Sequence, residues 1–282
     1  MSSSQGEGVL GSSASSGSNA LRLAFGTLTA FPVPAPTSIA PPVPGRAMVL
    51  APLAGLVPGL GGWLVAFVAL RLGFSFLVVA VLVVAVFALS TRALHLDGLA
   101  DTADGFTASY DRSKALDVMR RGDSGPAGAV MLVVVLLLQV TTLSQVLAIA
   151  QQGSNLGWRG DLAASFVVVT VAVVARVAIP VLCRSGVPSA RPKGLGAMVA
   201  GSVSWTLLIG CVAITLLVTA FTGLAAGLSW WAGPVAVATT VLTAQILARR
   251  ATNRLGGITG DIIGAGVELG TAAALLALVA VS

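Results

Sequence analysis

The chain has 282 residues, 56% apolar and only 9% charged, with a mean hydropathy of +0.97. This excludes an ordinary soluble domain and marks an integral membrane protein whose first partner is the lipid bilayer. The net charge of +6 sits in short loops between apolar stretches, which reports membrane orientation and anionic lipid and not nucleic acid.

Residues 1–19 hold eight Ser, four Gly and a single charge, Glu7. They have neither a basic start nor an apolar run, so they read as a disordered tail and not as a signal peptide. Residues 20–34 are too short to cross and end in Phe31-Pro32-Val33-Pro34, which predicts an interfacial or re-entrant half-helix followed by a Pro-rich linker, 32–44. Residues 20–282 read as one integral membrane domain, an all-α polytopic helix bundle of about seven spans. These lie at 47–70, 73–94, 126–149, 162–183, 199–220, 230–248 and 262–281, each near the roughly 20 apolar residues that a crossing needs.

With the N-terminus inside, Arg22, Arg46, Arg92, Arg112, Lys114, Arg120, Arg121, Arg184, Arg191, Lys193, Arg249, Arg250 and Arg254 fall on one side and only Arg71 and Arg159 on the other. That bias predicts a multi-pass protein of the cell (inner) membrane with this face in the cytoplasm. Arg176 lies within a span. Cys183 and Cys211 sit in or beside apolar segments without metal-ligand spacing and read as core packing.

Past the second span, His95-Leu96-Asp97-Gly98-Leu99-Ala100-Asp101-Thr102-Ala103-Asp104-Gly105 places three of only ten acidic residues within eight positions. If the span continues through it as one helix, with Gly105 as its stop, Asp97, Asp101 and Asp104 share a face within roughly 60°. Their mutual repulsion calls for a divalent cation, Mg²⁺ above others. Gly98 weakens such a helix by about 1 kcal/mol relative to Ala, which points to close approach by a ligand or a neighbouring helix. His95, the only histidine, turns about 200° from Asp97 on an ideal helix and is a candidate base or phosphate donor.

Three more patches fall on the same face. Arg120-Arg121-Gly122-Asp123 opens the third span and places two guanidinium groups and a carboxylate at a helix N-terminus, where backbone N–H groups favour anions, with Asp123 either part of the site or a simple helix cap. Arg191-Pro192-Lys193-Gly194 offers two cations in a Gly-containing loop, suited to phosphate. Arg254 and Gly256-Gly257-Ile258-Thr259-Gly260-Asp261 lead into the last span, where Glu268 lies two turns on and either serves the site or pairs with Arg176. Asp111, Asp117 and Asp161 read as solvated loop charges. Acids for metal, bases for phosphate and Gly-rich backbone between them describe a phosphoryl-transfer site.

At these residues the chain resembles the cobalamin synthase family, the adenosylcobinamide-GDP ribazoletransferases. The resemblance rests on the Asp cluster at 95–105, on Ala190-Arg191-Pro192-Lys193-Gly194-Leu195-Gly196, on Gly256 to Asp261 with Glu268, and on Thr29-Ala30-Phe31-Pro32-Val33-Pro34. It covers the chain from about residue 21 onward. It implies a Mg²⁺-dependent transfer in which α-ribazole or α-ribazole 5′-phosphate attacks adenosylcobinamide-GDP, releasing GMP and forming adenosylcobalamin or its 5′-phosphate. The expected metal ligands are Asp97, Asp101, Asp104 and Asp261. Arg191, Lys193 and Arg254, with Arg120 and Arg121, are the expected phosphate-binding groups, and His95 or an Asp is the base. Oligomeric state stays open, a homo-oligomer included. Two other readings compete: a CDP-alcohol phosphatidyltransferase, whose Ala-Arg positions are here Asp101 and Thr102, and a transporter using Asp97, Asp101, Asp104 and Glu268 as an ion relay.

Overall fold

The computed structural model describes residues 5–123, 125–153 and 157–281, and they form helices joined by short connections. In chain order these are α1 (Gln5–Leu28), α2 (Val43–Val49), α3 (Ala51–Ala54), α4 (Leu56–Arg71), α5 (Phe76–Ser90), α6 (Leu94–Ala108), α7 (Arg112–Arg121), α8 (Pro126–Gly153), α9 (Trp158–Ala175), α10 (Ala178–Leu182), α11 (Leu195–Val199), α12 (Trp205–Ala225), α13 (Ala232–Leu255) and α14 (Gly260–Val281). Among the described residues, the strand-like pairings are two isolated bridges, Arg184 with Val203 and Ser189 with Ile258. The chain is an all-helical membrane bundle.

Six helices are long and apolar enough to cross: Ala51–Arg71, Pro126–Gln152, Trp158–Leu182, Trp205–Leu224, Ala232–Leu255 and Gly260–Val281. A seventh exists only if α5 and α6 are taken together, and these two meet at 89°. The 15 residues of α5 reach about 22 Å, short of a hydrocarbon core of about 30 Å. Helix starts follow capping chemistry. Ser75 accepts from Val78 N at 3.5 Å ahead of α5, and Ser204 from Leu207 N at 3.4 Å ahead of α12.

The single helix expected through Arg92 is not formed. Arg92 and Ala93 both adopt left-handed backbone, at φ 55° and 56°, a conformation costing roughly 1–2 kcal/mol per residue. Hydrogen bonds hold the break in place. Ala93 N donates to Ala88 O at 2.7 Å, Ala30 N to Ser90 O at 2.7 Å, and an Arg92 guanidinium nitrogen to Gly26 O at 3.2 Å. The end of α1 thus clamps the corner from which α6 departs. Nor does α6 stop at Gly105; it runs on to Ala108, because Gly105 serves as a flat spot against Met119 of α7.

α1 begins at Gln5, so the stretch to residue 19 that composition assigned to a disordered tail is helical from that point; residues 1–4 lie outside the described residues. Its Ala20, Leu23, Ala24 and Leu28 are buried in the core shared with α2 and α3. Asn19 Oδ1 accepts from Thr37 N at 2.9 Å, which fastens the Pro-rich linker to the helix. Small residues let the spans approach closely: Gly59 and Gly62 of α4 seat against Ala172 and Val168 of α9. The outward faces of α8 and α12, with Val133, Leu137, Leu217 and Phe221 exposed, suit lipid.

Asp161 is not a solvated loop charge. It is buried in the first turn of α9, where Gln151 donates to it at 2.6 Å and Arg71 pairs with it at 3.4 Å. Asp111, by contrast, is exposed and caps α7, accepting from Ser113 N and Lys114 N at 2.8 and 3.1 Å.

Candidate active site

Two glycines set the site. A Cβ on Gly98 would stand 2.7 Å from Asp261 O, and one on Gly264 would stand 3.1 Å from His95 Cα. The close approach inferred at Gly98 is therefore that of a neighbouring helix. The two backbones cross nearly in contact, and the crossing brings the start of α6 to the start of α14. The loop after α10 is tied to the same place: Ala190 N donates to Ile258 O and Ile258 N to Pro188 O, each at 2.9 Å.

These segments enclose a cleft of about 220 Å³ lined by His95 and Asp97 from α6, Ser189, Arg191 and Lys193 from the loop, Thr259 and Asp261 at the head of α14, and Leu28 from α1. The start of the Asp cluster, the Arg191–Lys193 loop and the Thr259–Asp261 segment, separate in sequence, are one place in the fold. His95 and Asp97 share it although an ideal helix turns them apart, because the cleft wraps the first turn of α6, Leu94 included. His95 is 3% exposed and its Nε2 has no hydrogen-bond partner among the described residues.

Arg191 stands 3.5 Å from an Asp261 oxygen and donates to Leu116 O at 2.9 Å. Thr259 Oγ1 donates to the same Asp261 oxygen at 3.1 Å. The side-chain carboxylates of Asp97 and Asp101 accept no hydrogen bond and form no ion pair among the described residues. Burial first, then the carboxylates of Asp97, Asp261 and Asp104, push the Asp101 carboxyl up to about 6, at a point beyond the head of the α14 span. Clustered, partly desolvated oxygens that repel one another fit a hard divalent cation. Among the described residues no three acidic, His or Cys side chains already close around one point, since Asp261 is turned to Arg191.

Other expected site residues lie elsewhere. Asp104 faces α8, where its two oxygens accept from Gly125 N at 2.7 Å and Gly128 N at 2.8 Å. It fills the capping place considered for Asp123, which is exposed. Asp104→Ala is expected to cost about 1–3 kcal/mol by leaving those donors unsatisfied; a thermal melt in detergent without a fall in midpoint would contradict this. Arg254 donates to Phe106 O and Ser109 O at 3.2 and 2.9 Å and stacks over Tyr110, closing the end of α6. Arg120 and Arg121 are exposed on α7, outside the cleft lining. Glu268 is inside the bundle, bonded by Gln139 Nε2 at 2.8 Å; Arg176 acts on it electrostatically without a close ion pair, and neither lines the cleft.

Sequence reading missed Thr259 and Ser189. Thr259 was findable, since a Thr two positions before an acid and three before an apolar helix is a capping signal, and Ile262 N does donate to its hydroxyl at 3.3 Å. Ser189, which ties back to Arg191 O at 2.7 Å, carried no comparable signal.

The cobalamin-5-phosphate synthase family model matches residues 20–279. An adenosylcobinamide-GDP ribazoletransferase of Nocardioides is 40% identical over 92% of this chain and 97% of its own length. Relatives with the same description from Frankia casuarinae and Azorhizobium caulinodans are 37% and 35% identical, over 91% and 85% of this chain and 93% and 87% of their own. No solved structure matches. With near full-length agreement on both counts, the chain belongs to the cobalamin-5-phosphate synthase family.

Proposed function

We propose that the chain transfers the adenosylcobinamide phosphoryl group from adenosylcobinamide-GDP to a hydroxyl of α-ribazole or α-ribazole 5′-phosphate, with release of GMP and dependence on Mg²⁺. The observation that carries this reading is the meeting of Asp97 and Asp261 with Arg191 and Lys193 in one cleft, with Asp101 close by. Asp97, Asp101 and Asp261 would hold the ion, which supplies charge neutralisation on the pyrophosphate. Asp104, fixed to α8, is left out of the ligand set.

The remaining work belongs to the chain. Arg191, planar and forked, grips non-bridging phosphate oxygens as it lets go of Asp261, and Lys193 adds a mobile point charge beside it. Burial, then the charge of Arg176, pushes the His95 imidazole down to about 3, so an Asp carboxylate of the cleft is the better acceptor for the proton of the attacking hydroxyl as the new P–O bond forms and the bond to GMP breaks. The Arg and Lys bias of the loops supports a cytoplasmic orientation for this end of the bundle.

Detergent-purified protein given adenosylcobinamide-GDP and α-ribazole should form GMP and adenosylcobalamin in equal amounts. Donor hydrolysis without a cobalamin product would overturn the transfer. Arg191→Lys should raise the donor KM by about tenfold or more, since the bidentate fork is lost; an unchanged donor KM would remove Arg191 from phosphate binding.

A further inference from the structure

On the opposite face of α6 from the carboxylates lies a second hollow, between α6, α8 and α13, of about 570 Å³. This falls within the roughly 300–1,000 Å³ of small-molecule sites. We propose that it binds one anionic phospholipid, with an acyl chain among Leu99, Val130, Leu247 and Leu269 and the phosphate against Arg250.

Three observations carry this. Arg250 stands at the rim with its guanidinium 5.3 Å from the centre of the Phe106 ring, and among the described residues no acidic side chain lines the hollow. Thr102, also in the lining, is 4% exposed, yet its hydroxyl has no hydrogen-bond partner among the described residues. A buried hydroxyl is costly to leave unmade, and a lipid ester oxygen below the headgroup answers it. Finally, two of the walls, α8 and α13, are span helices, with Val130 64% and Ile246 57% exposed, so the hollow opens sideways to the acyl chains. Basic pockets between spans are favoured places for anionic headgroups.

A second groove, between the α2–α3 segment, α9 and α12, provides the contrast. It is nearly as large, at about 510 Å³, but among the described residues no charged side chain lines it, and its Cys211 and Thr215 donate to Val49 O and Cys211 O. It offers a phosphate nothing. The lipid in the first hollow would lie along the back of α6, bracing the helix whose front carries Asp97 and Asp101.

The test is native mass spectrometry of full-length protein released from vesicles of equal phosphatidylglycerol and phosphatidylcholine. Wild type should retain one phosphatidylglycerol in preference to phosphatidylcholine. Arg250→Ala should cut that preference about fivefold or more, and Thr102→Val and Ala103→Phe should lower retention without lowering the melting temperature. Equal retention of the two lipids by wild type and Arg250→Ala would overturn the proposal, as would a lipid-free dimer, which would mean that a second copy covers the face. The assay contains no donor or ribazole, so its failure leaves the transferase reading untouched.

Discussion

Asp101→Asn is expected to lower the rate of GMP formation by about 10²–10³-fold and, in the absence of Mg²⁺, to raise the melting temperature. The two effects have one cause. Without a cation, Asp101 is held among Asp97, Asp261 and Asp104, and its carboxyl is pushed up to about 6 by burial and by those neighbours. Each charge there opposes the fold, and removing one relieves it. An ion that binds the folded state at a hundred times its dissociation constant adds about 2.7 kcal/mol, so wild type should gain stability steeply with Mg²⁺ while Asp101→Asn gains much less. The raised carboxyl gives the sign of the pH effect too. Protons compete with metal, so half-saturation by Mg²⁺ should rise as pH falls through about 6. If Asp101→Asn melts lower than wild type without metal and keeps its full Mg²⁺ response, the carboxylates are structural and no cation site exists there.

Gly98→Leu should abolish activity through backbone geometry. A Cβ at Gly98 would already stand 2.7 Å from Asp261 O and 3.0 Å from Asp261 Cα, and backbone cannot swing aside as a side chain can. The helices must separate, which carries Asp97 away from Asp261 and opens the cleft. Displacement of about 1 Å at a reacting centre can cost about 10²-fold, and overpacking typically costs about 1–3 kcal/mol. The variant should therefore insert and purify with a lowered melting temperature and at least a hundredfold loss of turnover. Turnover close to wild type would mean that the crossing of α6 and α14 does not position the site.

Much of this was legible because the bilayer imposes a strong pattern. Apolar stretches marked six of the seven expected spans, the second being the short α5, and the clustering of Asp97, Asp101 and Asp104 in an acid-poor chain pointed to the end of the bundle where Asp97 lines the candidate cleft. The loop bases converged as read: Arg191 and Lys193 do share a cleft with Asp97 and Asp261. What failed were inferences from ideal geometry. An unbroken helix through Arg92 is what the apolar pattern supports. The two left-handed residues that turn α6 aside are held by bonds to α1, a contact distant in sequence. Along the unbroken α6 the three acids keep a common face but meet different partners, Asp97 at the cleft and Asp104 at the amides heading α8. Arg254 sits apart from the cleft for a similar reason. A basic residue beside a Gly-rich loop suits phosphate, yet here the carbonyls ending α6 occupy it. Charge type is visible in a sequence, whereas the partner that claims the charge is set by packing.

The most direct test of the account is GMP release from adenosylcobinamide-GDP and α-ribazole as free Mg²⁺ is titrated against a chelator, with wild type and Asp97→Asn side by side. The account predicts saturable dependence on Mg²⁺ for wild type, no turnover in excess chelator, and a rate at least a hundredfold lower for Asp97→Asn. Full turnover in excess chelator, or equal rates for the two proteins, would contradict a metal-assisted transfer in the cleft of Asp97, Asp261 and Arg191.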